Sequence, residues 1–230
     1  MQQYEFVKMQ QRNMTSGTRH KRSTAYANRF WENASNVTFS FTQDLSDDLQ
    51  YRIERVIRQW EPFVSLTLEQ VEAWQGQIRI ALYGSENYSA IGTEALAFAP
   101  DEATLVLKAD PSSPLFEAML LHEFGHALGF HHAHLHPDAD IPWDRDAVFE
   151  YFRDEAGWTD EDIELNLFSF AKGNSIFLGE YDPLSIMHYP VPDFLTRGNF
   201  HTDYNMTLSE LDKQLARRCY PAIDYHTGVI

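Results

Sequence analysis

The stretch HEFGHALGFHH, residues 122–132, decides how this chain folds. Its first seven residues end a segment, Leu115–Leu128, that contains no proline and follows a Ser-Ser-Pro sequence typical of a helix start, so we predict an α-helix there. His122 and His126 are four residues apart, and on a helix both rings then project from one face toward a common point. Gly129 can adopt a positive φ, which lets the chain leave the helix sharply. Two metal-ligand side chains and the turn after them are therefore predicted from local sequence.

A third ligand is expected just after this turn. His132 stands three residues after Gly129, the third-ligand position of the long zincin motif. His131, His134 and His136 crowd the same stretch, and one of them could take the place of His132; otherwise we expect these three at the solvated surface. Three nitrogen ligands leave one position of a zinc ion open for water, which distinguishes a catalytic zinc from a closed structural one. We predict one catalytic Zn²⁺ with the ligands His122, His126 and His132.

The predicted catalytic base is Glu123. It follows His122 directly, so its carboxylate points away from the ligand pair but stays within reach of a metal-bound water. Zinc lowers the pKa of such a water to about 7, and a carboxylate can accept its proton and return it to the leaving amine. The pattern therefore predicts zinc-dependent hydrolysis of peptide bonds.

The segments around this motif predict a sheet covered by helices. Val37–Phe41 alternates apolar and polar residues like a half-buried strand, and Ser46 begins a segment with an apolar stripe at helical spacing up to Trp60. A helix between the first two strands favours a mostly parallel sheet. Further strands are predicted at 66–68, 77–83, 93–98 and 104–109, and further helices at 144–155, 159–168 and 209–218.

The length of 230 residues suits one catalytic domain of two lobes. We place that domain at 29–222, with an upper lobe at about 29–132 and a lower lobe at about 133–222. Residues 1–28 are polar and are predicted to be a flexible or partly docked leader, and residues 223–230 a tail. The leader has no apolar core of the kind that a secretory signal requires, so we expect a cytoplasmic protein or export by a non-classical route.

Composition excludes several classes of partner. The net charge of -16 repels phosphate backbones and anionic membrane surfaces, so nucleic acid is not an expected partner. No stretch approaches the roughly 18 apolar residues of a membrane span. A single cysteine, Cys219, excludes an intrachain disulfide, and we expect it to be a small buried hydrophobe near a helix end. The expected partner is a protein or peptide substrate, bound by a monomer.

Two motifs together resemble the metzincin zinc peptidases in their astacin-like form. HEFGHALGFHH resembles the metzincin signature, and YDPLSIMHYP, residues 181–190, is similar to the Met-turn of that clan. The resemblance implies an α+β fold with a five-stranded mixed sheet, an active-site helix and a smaller, mainly helical and loop C-terminal lobe. It also implies that Met187 forms an apolar floor under the histidines, and that Tyr189 is a displaceable fifth zinc ligand whose hydroxyl stabilises the oxyanion.

The same resemblance implies where substrate binds. The segment Asn87–Phe98 corresponds to an exposed sheet edge to which an extended peptide could add as a strand, with Ile91, Gly92 and Thr93 as candidate contacts. This mode of binding implies an endopeptidase. A plain sheet edge blunted by Gly92 and Glu94 is an equally good interpretation of these residues.

Three departures mark the chain as a divergent relative over the resembling range Phe30–Pro221. Ala133 stands where astacins usually carry a glutamate that ties down the mature N-terminus. No segment for an aspartate-switched propeptide is visible, and the disulfides usual in astacins are impossible. Three rival hypotheses are a non-catalytic zinc-stabilised module, a hydrolase of non-peptide amides or esters, and an effector protease acting inside another cell.

Overall fold

Five strands form one mixed sheet in the spatial order β2-β1-β3-β5-β4. The strands are β1 (Asn36–Phe41), β2 (Thr67–Gln70), β3 (Ile78–Leu82), β4 (Tyr88–Ser89) and β5 (Leu105–Leu107). The pairs β1–β2, β1–β3 and β3–β5 are parallel, and only β4 of these strands runs antiparallel, along the edge of the sheet. The computed structural model describes residues 29–169 and 179–222, so the predicted leader and tail lie outside the described residues.

The prediction of a strand at Thr93–Phe98 is wrong. Gly92–Ala97 forms a 3-10 helix, and the edge strand of this region is the short β4. Gly92 has a φ of +52°, which bends the chain away from the sheet, and Thr93 N–H donates to the carbonyl of Arg29 at 2.8 Å. The Glu-Ala-Leu-Ala sequence that follows is rich in helix-favouring residues, so local propensity and a distant contact both oppose a strand.

Two helices that pack on the sheet agree with the sequence pattern. α1 (Asp47–Ile57) begins at Ser46, whose hydroxyl accepts from Leu49 N–H, and buries Ile53, Val56 and Ile57. α2 (Phe116–Ala127) carries the histidine motif and is buried along nearly its whole length. Trp60, just beyond α1, donates its indole N–H to the Leu121 carbonyl at 3.2 Å and so ties the two helices together.

The described residues bury two hydrophobic clusters. The first joins the sheet, α1 and α2, and the second lies among later residues, including Val148, Phe152 and Leu195. The elements of the C-terminal part are α3 (Arg145–Asp154), α4 (Asp160–Ile163), a π-helical turn (Glu164–Phe168) and α5 (Glu210–Cys219). α5 belongs by packing to the first cluster, through Ala216 and the following Tyr220, although we placed it in the lower lobe. The division into lobes at about residue 132 stays a prediction.

The helices in the described parts of the chain are short. α1 and α2 contain 11 and 12 residues. A bilayer span requires about 20 apolar residues. Within 29–169 and 179–222, no helix has both the length and the apolar character needed to cross a membrane.

Candidate metal centre

Three histidine rings meet at the end of α2. His122 and His126 lie one helical turn apart with ring centroids 4.9 Å apart. The chain then reverses at Gly129, which has a φ of +99°. A Cβ atom built on this residue would lie 2.8 Å from the Phe30 ring, which is too close for a side chain. This reversal places Nε2 of His132 2.9 Å from Nε2 of His126 and 3.2 Å from Nε2 of His122. The three residues form a group whose ligand atoms all lie within 4.8 Å of one another.

Backbone carbonyls set the orientation of two of these rings. His122 donates its Nδ1–H to the Ile186 carbonyl, and His126 donates its Nδ1–H to the Phe130 carbonyl, each at 2.7 Å. Because a carbonyl only accepts, both rings carry their proton on Nδ1 and direct the Nε2 lone pair toward the centre. This second hydrogen bond is the usual support of a metal-binding histidine.

Burial keeps the three rings neutral. It lowers the pKa of His122 to about 4 and the pKa values of His126 and His132 well below their ordinary range, and the neighbouring imidazoles lower the latter two further. Neutral imidazoles bind metal ions, whereas protonated ones do not. Three neutral imidazoles whose ligand nitrogens lie within 4.8 Å of one another are therefore a donor set that fits a zinc ion.

The carboxylate of Glu123 lies fully buried beside the histidines. Neither of its oxygens has a hydrogen-bond partner among the described residues, and burial raises the pKa of this carboxyl well above its ordinary value. A buried carboxylate without a partner is expensive unless a cation or a donor faces it. The unpartnered oxygens and the histidine cluster thus complement each other around a bound cation.

The Tyr189 ring packs against the histidine cluster. Its ring centroid is 4.1 Å from that of His132 and 6.2 Å from that of His122. Burial raises the pKa of its hydroxyl well above 10, and the charge of Glu123 raises it further. The phenol therefore keeps its proton, which is the form that donates a hydrogen bond.

Met187 packs directly beneath α2. A Cβ atom on Gly125 would lie 2.3 Å from the Met187 sulfur, so the absence of a side chain at Gly125 is what allows this approach. The Met187 carbonyl accepts the N–H of Ala133 at 2.9 Å, next to His132. The turn therefore supports the histidines from below and from the side.

The expectation of solvated surface positions for His131, His134 and His136 is wrong, most clearly for His134. Its ring is buried, stacks on Tyr189 with centroids 4.3 Å apart, and donates Nε2–H to the Asn166 carbonyl at 2.7 Å. His131 is half-buried, and His136 reaches the Gly179 carbonyl at 3.2 Å. Among the described residues, none of these three belongs to the metal-binding group. Periodicity gave no signal for His134, because its burial depends on residues 32 and 55 positions away.

The predicted substrate contacts lie beside β4. Ile91 N–H donates to Glu94 at 3.2 Å and Thr93 N–H donates to Arg29, so neither amide is an open donor for a peptide. Ala90 N–H donates to the carbonyl of Thr104, the residue just before β5. Since peptide groups alternate in direction along an antiparallel strand, those of Ser89 point away from β5. A substrate-binding role for Ile91, Gly92 and Thr93 stays a prediction.

This fold and site define a zinc metallopeptidase of the metzincin class: a buried histidine triad at the end of a helix, a glutamate beside it and a methionine turn beneath. The chain belongs to the astacin family of peptidases, because the Astacin family model matches residues 23–219. The resemblance seen in the two motifs and the α+β fold with a mixed sheet are thereby confirmed. As a member of this family the protein is a zinc-dependent endopeptidase that acts on proteins or peptides.

Solved structures agree with this assignment. A structure of myroilysin is 32% identical with a TM-score of 0.80, and the alignment covers 86% of this chain and 98% of that one. A second myroilysin crystal structure is 32% identical with a TM-score of 0.65, covering 85% and 87%. High choriolytic enzyme 1, a hatching-enzyme zinc protease from the medaka fish Oryzias latipes, is 16% identical with a TM-score of 0.58 over 89% and 98%, and shares the fold. No curated protein sequence matches the chain.

Proposed function

We propose that this enzyme holds its zinc with His122, His126 and His132 and uses Glu123 as the general base for hydrolysis of internal peptide bonds. The observation that carries this proposal is the convergence of three Nε2 atoms beside a buried carboxylate that has no hydrogen-bond partner among the described residues. When bound, zinc lowers the pKa of a water molecule and polarises a carbonyl group.

Glu123 moves the protons in this mechanism. Its carboxylate accepts the proton of the attacking water and delivers it to the nitrogen of the leaving amine. The side chain is fully buried and is positioned by its place on α2, one residue after His122. The low polarity around it strengthens each charged contact that forms during the reaction.

Tyr189 supplies the second catalytic group of the proposal, as a displaceable fifth ligand and an oxyanion donor. Its ring packs against both His132 and His134, and burial favours the protonated phenol by raising its pKa. A donor that faces the negative charge of the tetrahedral intermediate stabilises the transition state more than the ground state.

The experiment compares peptide-library cleavage by the wild type, Glu123→Ala and Glu117→Ala, each with its zinc content measured and with chelator controls. Glu117 lies on the same helix but at the surface, where it pairs with Arg52, so its substitution is a matched control. We expect one zinc per chain in all three proteins and loss of cleavage by about 10²–10⁴-fold in Glu123→Ala alone. Retained turnover in Glu123→Ala would remove this residue from the role of base.

A non-catalytic zinc module predicts a different result, namely bound zinc without cleavage by any of the three proteins. The expectations of a monomer and of no nucleic-acid partner stay predictions. Size-exclusion chromatography with light scattering on the zinc-loaded enzyme measures the oligomeric state. A mobility-shift assay at low salt measures nucleic-acid binding.

A further inference from the structure

Asp212 has more hydrogen bonds than its position on α5 requires. It is the third residue of that helix and forms a capping box with Ser209: each backbone N–H donates to the other's side chain at 2.9 Å. The carboxylate of a capping box normally lies at the surface, but Asp212 is only 6% exposed. Its buried side faces the turn that contains Met187.

The carboxylate holds that turn at two points. The Ser185 hydroxyl donates to Oδ1, and Ile186 N–H donates to Oδ2 at 2.8 Å. The same Ser185 oxygen accepts Met187 N–H at 3.0 Å. Asp212 is thus fully hydrogen-bonded by neutral donors, and no basic side chain pairs with it in the described residues. Three neutral donors thus compensate the burial of a carboxylate that has no ion-pair partner among the described residues.

A single residue connects this carboxylate to the metal centre. Ile186 donates its N–H to Asp212 and accepts, with its carbonyl, the Nδ1–H of His122 at 2.7 Å. The peptide groups on both sides of Ile186 are therefore fixed by partners that lie in two different helices, α5 and α2. A shift of the turn would tilt the carbonyl and, with it, the imidazole.

Other contacts also keep the turn in place near α5, and one of them is made to the carbonyl of the same peptide group that carries Ile186 N–H. The Ser209 hydroxyl donates to Asp182 at 2.6 Å, and the Asn205 amide donates to the Ser185 carbonyl at 2.8 Å. Loss of the Asp212 carboxylate alone therefore leaves the turn attached to the helix. What it removes, besides the bonds from the Ser185 hydroxyl and Ser209 N–H, is the hydrogen bond from Ile186 N–H, so one of the two anchors of that peptide group is lost.

We propose that Asp212 is a positioning residue for the metal centre: through Ile186 it orients His122 and so sets the zinc affinity of the enzyme. The inference rests on the proposed role of His122 as a zinc ligand. Partners that orient a metal-binding histidine typically change metal affinity about 10–100-fold when they are removed. A carboxylate that only caps a helix would change stability without changing zinc affinity.

The chain offers a matched control for the capping function. α4 begins with the same box, in which Thr159 is the cap and Asp162, the third residue, accepts from the N–H and the hydroxyl of Thr159. Asp162→Ala therefore removes a helix cap of the same chemistry. His126→Ala serves as the control for the ligand assignment itself.

The experiment measures the zinc dissociation constant of the full chain by competition with a chromogenic chelator, and the melting temperature of each metal-free protein. We expect Asp212→Ala to bind zinc about 10–100-fold more weakly than the wild type. Asp162→Ala should lose thermal stability but keep the wild-type zinc affinity. Asp212→Asn retains one acceptor oxygen, so its loss of affinity should lie between those of the two alanine variants.

Unchanged zinc affinity in Asp212→Ala, with zinc lost in His126→Ala, would overturn this inference and leave the proposed function intact. Zinc binding that survives His126→Ala, or is absent from the wild type, would overturn both. If Asp212→Ala does not fold, Asp212→Asn decides the question alone, because an affinity equal to that of the wild type contradicts the role of Asp212.

Discussion

Gly125 determines how closely the methionine turn can approach the active-site helix. A Cβ atom at this position would lie 2.3 Å from the Met187 sulfur and 3.1 Å from the Trp60 ring. The first distance is far below any ordinary contact, and both neighbours are buried in the first hydrophobic cluster. One missing methyl group therefore sets the spacing between helix and turn, and with it the position of the residues that follow Met187.

Gly125→Ala tests this spacing. Alanine favours a helix by up to about 1 kcal/mol over glycine, but overpacking a core costs about 1–3 kcal/mol, so we expect a lower free energy of unfolding. Chemical denaturation of the zinc-free protein measures it. Gly179→Ala is the control, because a Cβ atom there meets only Leu215 at 3.9 Å. A Gly125→Ala protein as stable as the wild type would show that Met187 moves aside freely.

Tyr189→Phe separates the hydroxyl of this residue from its ring. The ring contacts with His132 and His134 stay, while the donor for the oxyanion is removed. Removing one such donor typically lowers kcat by about 10²–10³-fold, and bound zinc should be unchanged because three histidine ligands remain. Steady-state kinetics with zinc analysis measures both quantities, and Tyr51→Phe on the surface of α1 is the control. A normal kcat would exclude an oxyanion role.

At the scale of elements, the C-terminus of α2 is completed by side chains from distant parts of the chain. The last carbonyls of a helix have no partner within it. Trp31 donates its indole N–H to the Ala127 carbonyl at 2.8 Å, and Tyr220 donates its hydroxyl to the Leu128 carbonyl at 2.6 Å. The Tyr220 oxygen also accepts Trp31 N–H at 3.2 Å. Segments near both ends of the described chain thus hold the helix end from which the third histidine departs.

Trp31→Phe should destabilise the fold through this helix end. The variant keeps an aromatic ring but leaves the buried Ala127 carbonyl without its donor, which typically costs about 1–3 kcal/mol. Equilibrium unfolding in urea measures the change, and Trp74→Phe, at a partly exposed position, is the control. Equal midpoints for Trp31→Phe and the wild type would mean that another donor replaces the indole.

At the scale of the whole molecule, the metal centre lies where the two hydrophobic clusters meet. His122 and His126 lie on α2, which belongs to the first cluster, and His132 follows the turn after it, whereas Tyr189 belongs to the second cluster. With a single cysteine in the chain, no intrachain disulfide can join these parts. A bound ion therefore contributes to the stability of the whole fold as well as to its chemistry.

Removal of zinc should lower the melting temperature. At a free zinc concentration about 1,000 times the dissociation constant, binding stabilises the folded state by about 4 kcal/mol. For a chain of this size each kcal/mol corresponds to roughly 2–4 °C, so a shift of about 8–16 °C is expected. Calorimetry with and without chelator measures it, and His126→Ala should be insensitive to the chelator. An identical shift in that variant would place the stabilising zinc elsewhere.

The sequence-based prediction of the secondary structure failed where a distant contact decides the backbone. Strands at the centre of the sheet and the four helices of ten or more residues carry local sequence signals, and the structure confirms them within a few residues. The apolar residues of segment 93–98 fit the spacing of a strand no better than that of a helix. The conformation of this segment depends on Gly92 and on the hydrogen bond to the Arg29 carbonyl. Contacts of this kind leave no trace in a local pattern.

The sequence by itself determined the histidine triad and the adjacent glutamate, because helical spacing and a glycine turn act over a short stretch of chain. Only the tertiary structure decided how that site is supported. The carbonyl that orients His122 comes from Ile186, 64 residues away, and the carboxylate that fixes Ile186 comes from Asp212. These partners meet because α2 and α5 are packed in one hydrophobic cluster, and no spacing along the chain encodes that approach.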